Sequence, residues 1–386
     1  MTSPALSVLM TVYQGASLLP ATLDSVLTQT FTDFEFITVD DGSTDGTGAV
    51  LQAYAARDAR LKVLHNPANQ GITRAMNRLF PMARGRYVTR HDADDLSAPE
   101  RFAQQVAFLD THLDIGMVSS HIGVIGADGR PLPQAMFVSG NDNESIQGEL
   151  YDSNCLCQGS VMFRRECREA IGLYDPALEL SEDYDFWLRM TEITRVVKLP
   201  ATLYQYRWHA ASVSHQRYGQ QLLRQALGLE KALARRCGPQ PPERLARLLA
   251  RDYLAAVEHL RLAGDLDGER QALVGVLRWQ PAWYESDAVA IPIPPTPAGE
   301  ALARTVFADI RNPLERRLRL GRFLARGHMR EVFGGAAAGD WARVGAHLAP
   351  AVRQDPAWLL NRGVWSLSVR ALAWRLSHRG RLSRPG

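Results

Sequence analysis

The sequence predicts an α/β protein: a doubly wound, mostly parallel sheet over residues 1–215, then an all-α region over residues 216–386. Short apolar runs of strand length alternate with stretches of helical spacing through the first half. Acidic clusters fall where those strands end. From about residue 216 the strand signals stop, and Ala, Leu, Arg and Gln dominate.

Ala5 to Tyr13 (ALSVLMTVY) reads as a buried first strand, by its length and β-branched content. From Ser17 to Thr28, the positions Leu18, Leu19, Leu23, Val26 and Leu27 recur at helical spacing. Phe34 to Val39 is a second strand that runs into the turn Asp40-Asp41-Gly42-Ser43, with a helix opening near Thr47. Leu61 to His65 is a third strand, followed by a helix from Thr73 to Ala83. Arg86 to Arg90 is a fourth, ending at His91-Asp92-Ala93-Asp94-Asp95. Strand–helix alternation implies right-handed crossovers and a parallel sheet, and such sheets bind ligands at the carboxyl ends of their strands. Both acidic clusters fall at that edge.

Composition narrows the function class. The chain has 386 residues, 46% of them hydrophobic and 22% charged, as expected of a globular protein of two or three domains. A net charge of +3 gives no argument for a nucleic-acid partner. Arginine dominates the cations, the only lysines being Lys62, Lys198 and Lys231. Cys155, Cys157, Cys167 and Cys237 lack the paired spacing of a zinc site and read as reduced thiols, with Cys155 and Cys157 alternating as strand residues would. Neither a signal peptide nor a membrane-spanning helix is expected, which points to a cytoplasmic protein.

In the second half, Gln216 to Leu262 has helical spacing, and the Pro-rich stretch 291–297 reads as a linker or extended arm. Ala263-Gly264-Asp265 through Trp283 echoes Ala338-Gly339-Asp340 through Trp358 at a constant offset, 339 − 264 = 75. Each copy reads as a Gly-Asp turn, a helix and a Pro stop, like the helix pairs of solenoids. Chance similarity in an Ala/Leu/Arg-rich region is the alternative.

Asp92-Ala93-Asp94-Asp95 is the strongest local signal. Clustered carboxylates repel unless something positive sits among them, and a hard divalent cation bridging to phosphates meets that need. A solvated loop capping the next helix is the plainer reading of this run alone. Its context favours the first reading. Thr11-Val12-Tyr13-Gln14 ends the first strand, and Asp40-Asp41-Gly42-Ser43 ends the second. Asn69-x-Gly71-x-Thr73-x-Ala75-x-Asn77 opens a helix that carries Arg74, and Ala83-Arg84-Gly85-Arg86-Tyr87 leads into the acidic loop. Further on come Gly159-Ser160-Val161-Met162-Phe163-Arg164 and Glu182-Asp183-Tyr184-Asp185-Phe186-Trp187-Leu188-Arg189. Tyr206-Arg207-x-His209-x-x-Ser212-x-Ser214 closes the series. Together, over roughly residues 4–215, these resemble the family-2 glycosyltransferases, whose GT-A fold is a doubly wound nucleotide-binding domain.

The resemblance implies roles. Thr11, Tyr13, Asp40 and Asp41 would hold the base of a nucleoside-diphosphate sugar, with Arg74 and Arg207 also on the nucleotide. Asp92 and Asp94 form the Asp-x-Asp motif, Asp94 as ligand to Mn2+ or Mg2+ and Asp92 as a second ligand or a ribose partner. His209 would be a third ligand or a diphosphate donor, and Asp95 a ligand neighbour or a helix cap. Asp183 would be the general base of a single displacement with inversion, with Glu182 as its competitor. Phe186 and Trp187 read as core. Three positions depart from the family pattern: Gln14 for the commoner Asn, His91 for an apolar residue, and Gln158 where a His often stands.

Trp365 to Arg384 mixes apolar and arginine positions, so it is either a basic helix lying on an anionic membrane or a core-packed last helix with a basic tail. The first would place the enzyme at the inner face of the cell membrane, with a saccharide or lipid-linked saccharide as acceptor in envelope or polysaccharide synthesis. The functional alternative is a non-catalytic scaffold acting through the helical half. A sugar-nucleotide pyrophosphorylase would want a basic Gly-rich loop where Gln14-Gly15-Ala16-Ser17 stands.

Overall fold

The computed structural model describes residues 3–133, 136–208, 217–280, 283, 297–308, 313–355 and 371. The chain divides into two compact units, Met1–Leu248 and Leu249–Gly386.

The first unit opens with β1 (Leu6–Val12), α1 (Leu19–Leu27), β2 (Phe34–Asp40), α2 (Thr47–Ala55), β3 (Leu61–His65), α3 (Ile72–Leu79) and β4 (Tyr87–Arg90). β1 pairs in parallel with β2 on one side and β4 on the other, and β2 with β3. Leu6, Val8 and Met10 of β1 pack with Leu19, Leu23 and Val26 of α1, so the apolar face of the helix covers the sheet. The helix over Thr73–Ala83 is shorter than its spacing suggests. α3 ends at Leu79, and Pro81 sits in a single 3-10 turn, because proline has no N–H to extend an α-helix.

There follow β5 (Leu96–Ser97), α4 (Arg101–Thr111), β6 (Ile115–Ile125), β7 (Pro131–Leu132), α5 (Asn143–Glu149), β8 (Met162–Arg164), α6 (Arg165–Ile171), α7 (Glu182–Met190), β9 (Arg195–Arg207) and α8 (Tyr218–Cys237). The sheet order is β3-β2-β1-β4-β8-β6-β9-β5, with β7 on β6. β8 is antiparallel to β4 and β6, whereas β6 and β9 are parallel. Parallel pairing is therefore continuous through β3-β2-β1-β4 and mixed beyond it. Cys155 and Cys157 are not strand residues. They are buried in the loop before a 3-10 turn at Gln158–Ser160, and burial pushes both thiols up. All four cysteines are unpaired. α8 is fixed to the first unit by Lys231 to Asp175 and by Arg235 to Glu192.

α9 (Glu243–Leu262) crosses the boundary between the units. The second unit continues with α10 (Leu266–Trp279), α11 (Pro297–Phe307), α12 (Pro313–Ala337) and α13 (Trp341–Gln354). The echo of Gly264-Asp265 in Gly339-Asp340 is structural. Both glycines are left-handed, at φ +72° and +71°. In each copy the Asp N–H reaches back five residues, Asp265 to Leu260 O and Asp340 to Gly335 O, closing the preceding helix. Each Asp carboxylate then caps the next helix, on Gly268 N at 2.9 Å and Arg343 N at 3.0 Å. No helix among the described residues is long and apolar enough to cross a membrane. The Pro-rich stretch, apart from Pro297, and the basic stretch Trp365–Arg384, apart from Ala371, lie outside the described residues.

Candidate active site at the carboxyl edge of the sheet

The loop after β4 is held from several sides. Thr22 Oγ1 on α1 lies 3.0 Å from the carbonyl oxygens of both Ala93 and Asp95. His91 is fully buried, with Nδ1 2.8 Å from Asp92 O and Nε2 3.0 Å from Ser97 Oγ. A carbonyl only accepts, so Nδ1 carries the proton and Nε2 takes the Ser97 hydroxyl, which itself accepts from Arg101 Nη1. Burial and the nearby Arg101 hold His91 down at about 3, so it is neutral. This accounts for a histidine at an apolar position: it splints the loop without carrying charge. Asp92 N donates to Tyr204 OH at 3.2 Å. Gly159 permits that contact, since a Cβ there would stand 2.0 Å from the same hydroxyl.

The three acids of the loop differ. Asp92 and Asp94 are half-buried, and Asp95 is buried. Asp95 caps no helix. Its Oδ1 accepts from Arg207 N at 2.6 Å, and its Oδ2 is buried with no hydrogen-bond partner among the described residues. Burial, then Asp94 and Asp92, push its carboxyl well up. Burial also raises Asp92, against the pull of Arg90. Arg207 is buried, with Nε on Asp94 O and Nη1 on Gly126 O and Ala127 O, so those donors brace the loop from behind. His209 lies outside the described residues.

Arg90, the last residue of β4, was not legible as a site residue. It is buried, with Nη2 2.7 Å from Asp92 Oδ1 and Nη1 3.6 Å from Glu182 Oε1. Glu182 opens α7 and is buried, its Oε2 accepting from Leu180 N at 3.0 Å. Burial and the Asp183 charge push its carboxyl up to about 7, with Arg90 opposing. Asp183 is half-buried. Its Oδ2 accepts from Asn154 Nδ2 at 2.9 Å and its Oδ1 from Tyr184 N at 2.7 Å, and burial raises it too. Gln158 donates to Tyr174 OH at 2.9 Å, beside this group. Phe186 and Trp187 are core, with Phe186 stacked on Phe80.

On the other flank, Thr11 is half-buried near the end of β1, and Tyr13 is 51% exposed. Asp40 accepts from Ser43 N at 3.0 Å and faces His65 Nδ1 at 3.4 Å. Asp41 is buried, and its two oxygens take Asn66 Nδ2, Gln70 N and Gly71 N, so it shapes the loop before α3. Gly71 is left-handed at φ +86°, and a Cβ there would meet Glu179 Oε1 at 2.1 Å. Arg74 is exposed in the first turn of α3. Gln14, at φ +52°, bonds Ser43 and Thr44 across two loops, a span that suits its longer amide better than that of Asn.

No group of three His, Cys, Asp or Glu able to hold a metal ion occurs among the described residues. A cation that keeps waters and takes phosphate oxygens needs only one or two carboxylates. Asp92 and Asp94, with the bare Asp95 Oδ2 behind them, fit that requirement.

Comparison with known proteins agrees with this geometry. The model of glycosyl transferase family 2 matches residues 7–172. EpsE of Bacillus subtilis, a glycosyltransferase by assignment, is 33% identical over 214 residues, covering 53% of this chain and 73% of the relative. The chain belongs to glycosyl transferase family 2. As a glycosyltransferase it is also similar to a PGL/p-HBAD biosynthesis glycosyltransferase of Mycobacterium tuberculosis, 29% identical over 190 residues, or 49% of this chain and 70% of that one. In fold it is similar to S. aureus TarS 1–349, solved with UDP-GlcNAc, at a TM-score of 0.53 and 18% identity over 91% of this chain and 92% of that one. The GT-A fold with a helical C-terminal region follows from that likeness.

Proposed function

We propose that this glycosyltransferase moves a sugar from a nucleoside-diphosphate sugar to an acceptor hydroxyl with inversion, Asp183 being the general base. The observation that carries the reading is the joining of two acidic segments, distant in sequence, by Arg90: Asp92 on one side of the guanidinium and Glu182-Asp183 on the other. Asp183 takes the proton of the acceptor hydroxyl as its oxygen attacks the anomeric carbon. The bond from that carbon to the diphosphate oxygen breaks on the opposite face, so configuration inverts. Glu182 is the weaker base candidate, because its side chain is buried and faces Arg90, whereas Asp183 is half-buried and open to an acceptor. Asp94 and Asp92, with His209, would hold Mn2+ or Mg2+, which when bound neutralises charge on the leaving diphosphate. Thr11, Tyr13, Asp40 and Arg74 form the base and nucleotide side, with Asp41 and Arg207 shaping it from behind.

Residues 1–215 carry the chemistry in this reading, and 216–386 recruit the acceptor, a saccharide or lipid-linked saccharide of envelope or polysaccharide synthesis. The basic stretch Trp365–Arg384 would hold the enzyme against the inner face of the membrane, in the cytoplasm. Calorimetry with UDP, GDP and dTDP, with and without Mn2+, tests the donor side. One nucleotide should bind with metal and fail to bind Asp94→Ala, while Asp183→Asn should bind it normally and transfer nothing. Full turnover by Asp183→Asn, or no nucleotide binding with any metal, overturns the reading.

A further inference from the structure

Arg90 is an unusual residue to find where it is. Its side chain is 5% exposed at the end of a core strand, yet its Nε and Nη1 make no hydrogen bond among the described residues. A buried cation with unused donors is costly unless another state uses them. The Glu182 oxygen stands 3.6 Å from Nη1, just outside hydrogen-bond range, on a side chain that is itself 5% exposed. The turn leading to Glu182 is also unsettled. Leu180 is left-handed at φ +82°, held by its N–H on Glu182 Oε2, and the buried Ser181 Oγ has no hydrogen-bond partner among the described residues. So Glu182 uses one oxygen to hold a strained turn and turns the other toward Arg90, and the next residue is Asp183.

We propose that Arg90 is a positioning residue that ties the first turn of α7 to the Asp-x-Asp loop and thereby sets where Asp183 stands relative to the bound donor. The inference rests on the reading of Asp183 as base. Its consequence is a division of labour. Asp92 keeps the nucleotide side without Arg90, because Tyr204 OH holds its backbone and Thr22 holds the loop. The base side has no such second support from β4. Losing Arg90 therefore costs turnover rather than nucleotide affinity.

Steady-state kinetics and nucleotide calorimetry on the full chain test this with Arg90→Gln, Arg90→Lys, Glu182→Gln, the Arg90→Gln/Glu182→Gln double variant and Asp183→Asn. Arg90→Gln should lower kcat about 100-fold, the cost of a small misplacement of a reacting group. Its nucleotide Kd should stay within about threefold of the unsubstituted protein. Arg90→Lys, which keeps a charge without the fork, should recover about tenfold of the loss. The double variant should be no slower than Arg90→Gln, because both substitutions break one contact. If Arg90→Gln does not fold, Glu182→Gln carries the test and should lower kcat at unchanged Kd. A weakened Kd with intact kcat in Arg90→Gln, or wild-type kcat in Glu182→Gln, overturns the proposal. An inactive Asp183→Asn beside a fully active Arg90→Gln sinks this inference alone, whereas an active Asp183→Asn sinks the base reading beneath it.

Discussion

Glu35→Gln should destabilise the protein at neutral pH and much less in acid. Glu35 sits in β2 directly opposite Ser7 of β1, at the edge of the sheet away from the acidic loops. Its carboxylate accepts from Ser7 Oγ at 2.9 Å, Arg84 N at 2.9 Å, Arg84 Nη2 at 2.9 Å and Lys62 Nζ at 3.0 Å. It thus joins three strands to the turn that leads into β4. Burial pushes this carboxyl up, but Arg84, Lys62 and Ser7 outweigh it and hold it at about 2 against an ordinary 4.5. At about 1.36 kcal/mol per pH unit, that difference is at most about 3.4 kcal/mol. The side chains of Arg84 and Lys62 are 52% and 46% exposed, and water screens their contribution. A contribution of about 1.5 kcal/mol is the fair expectation. The carboxyl is depressed in the folded state, so its stabilisation is complete above about pH 4.5 and is lost as the pH falls through about 2. Urea unfolding followed by circular dichroism at about pH 7 and about pH 3 measures it. The gap between the two proteins should shrink by more than half at the lower pH. A gap of equal size at both would show that Glu35 acts through shape and not charge, and would refute the reasoning.

Two further outcomes concern the site. Gly159→Ala places a methyl 2.0 Å from Tyr204 OH, so the tyrosine must leave Asp92 N. Nucleotide affinity and transfer should both fall, measured by calorimetry and turnover, and Gly159→Ala/Tyr204→Phe should not recover them, because the ring carbon Cζ would still stand 2.2 Å from the methyl. Burial raises both carboxyls, and the Asp183 charge adds to it at Glu182, which stands at about 7, so kcat should climb with pH as the pair loses its proton and then level. Glu182→Gln should move that limb lower, and a profile flat from about pH 5 to about pH 8 would count against a base in this pair.

The sequence made the fold legible because the first four strands are short, apolar and separated by helices, a pattern with few competing readings. It was less informative where pairing is non-local. β8 is three residues, Met162–Arg164, and it inserts between β4 and β6, a placement that depends on partners some 40 to 80 residues away in sequence. The acidic loop and the start of α7 were legible from residue type. What supports them was not, because Tyr204, Thr22 and Asn154 are ordinary residues that matter only through tertiary contact. Arg90 was not legible either, because an arginine closing a short strand just before three acids reads as a solvated charge until its burial is seen. In sequence Asp95 reads as a ligand neighbour or a helix cap and Arg207 as a nucleotide contact, yet they are buried against each other's loops. A charge pattern alone does not tell a ligand from a brace.

The two edges of the sheet carry opposite kinds of polar chemistry. At the Glu35 edge a buried carboxylate has every oxygen engaged, and the result is stability. At the carboxyl edge the buried polar atoms include Arg90 Nε and Nη1, Asp95 Oδ2 and Ser181 Oγ, all without hydrogen-bond partners among the described residues, and two non-glycine residues there, Gln14 and Leu180, are left-handed. Each such feature costs of order 1 kcal/mol or more. Others occur among the described residues at Thr38, Thr73, Arg168, Trp187 and Trp279, but at this edge four such atoms gather around the acidic loop and the start of α7. The apolar faces of β1 and β2, fully buried between helices, supply the stability that lets this edge stay unsatisfied. β4 joins the two regimes within four residues: Tyr87 is packed in the core and Arg90 stands in the site. A substitution that satisfied Arg90 otherwise, such as a new carboxylate placed within reach of Nη1, should therefore stabilise the fold and slow transfer, because it would draw the guanidinium away from Glu182 and loosen its hold on the first turn of α7.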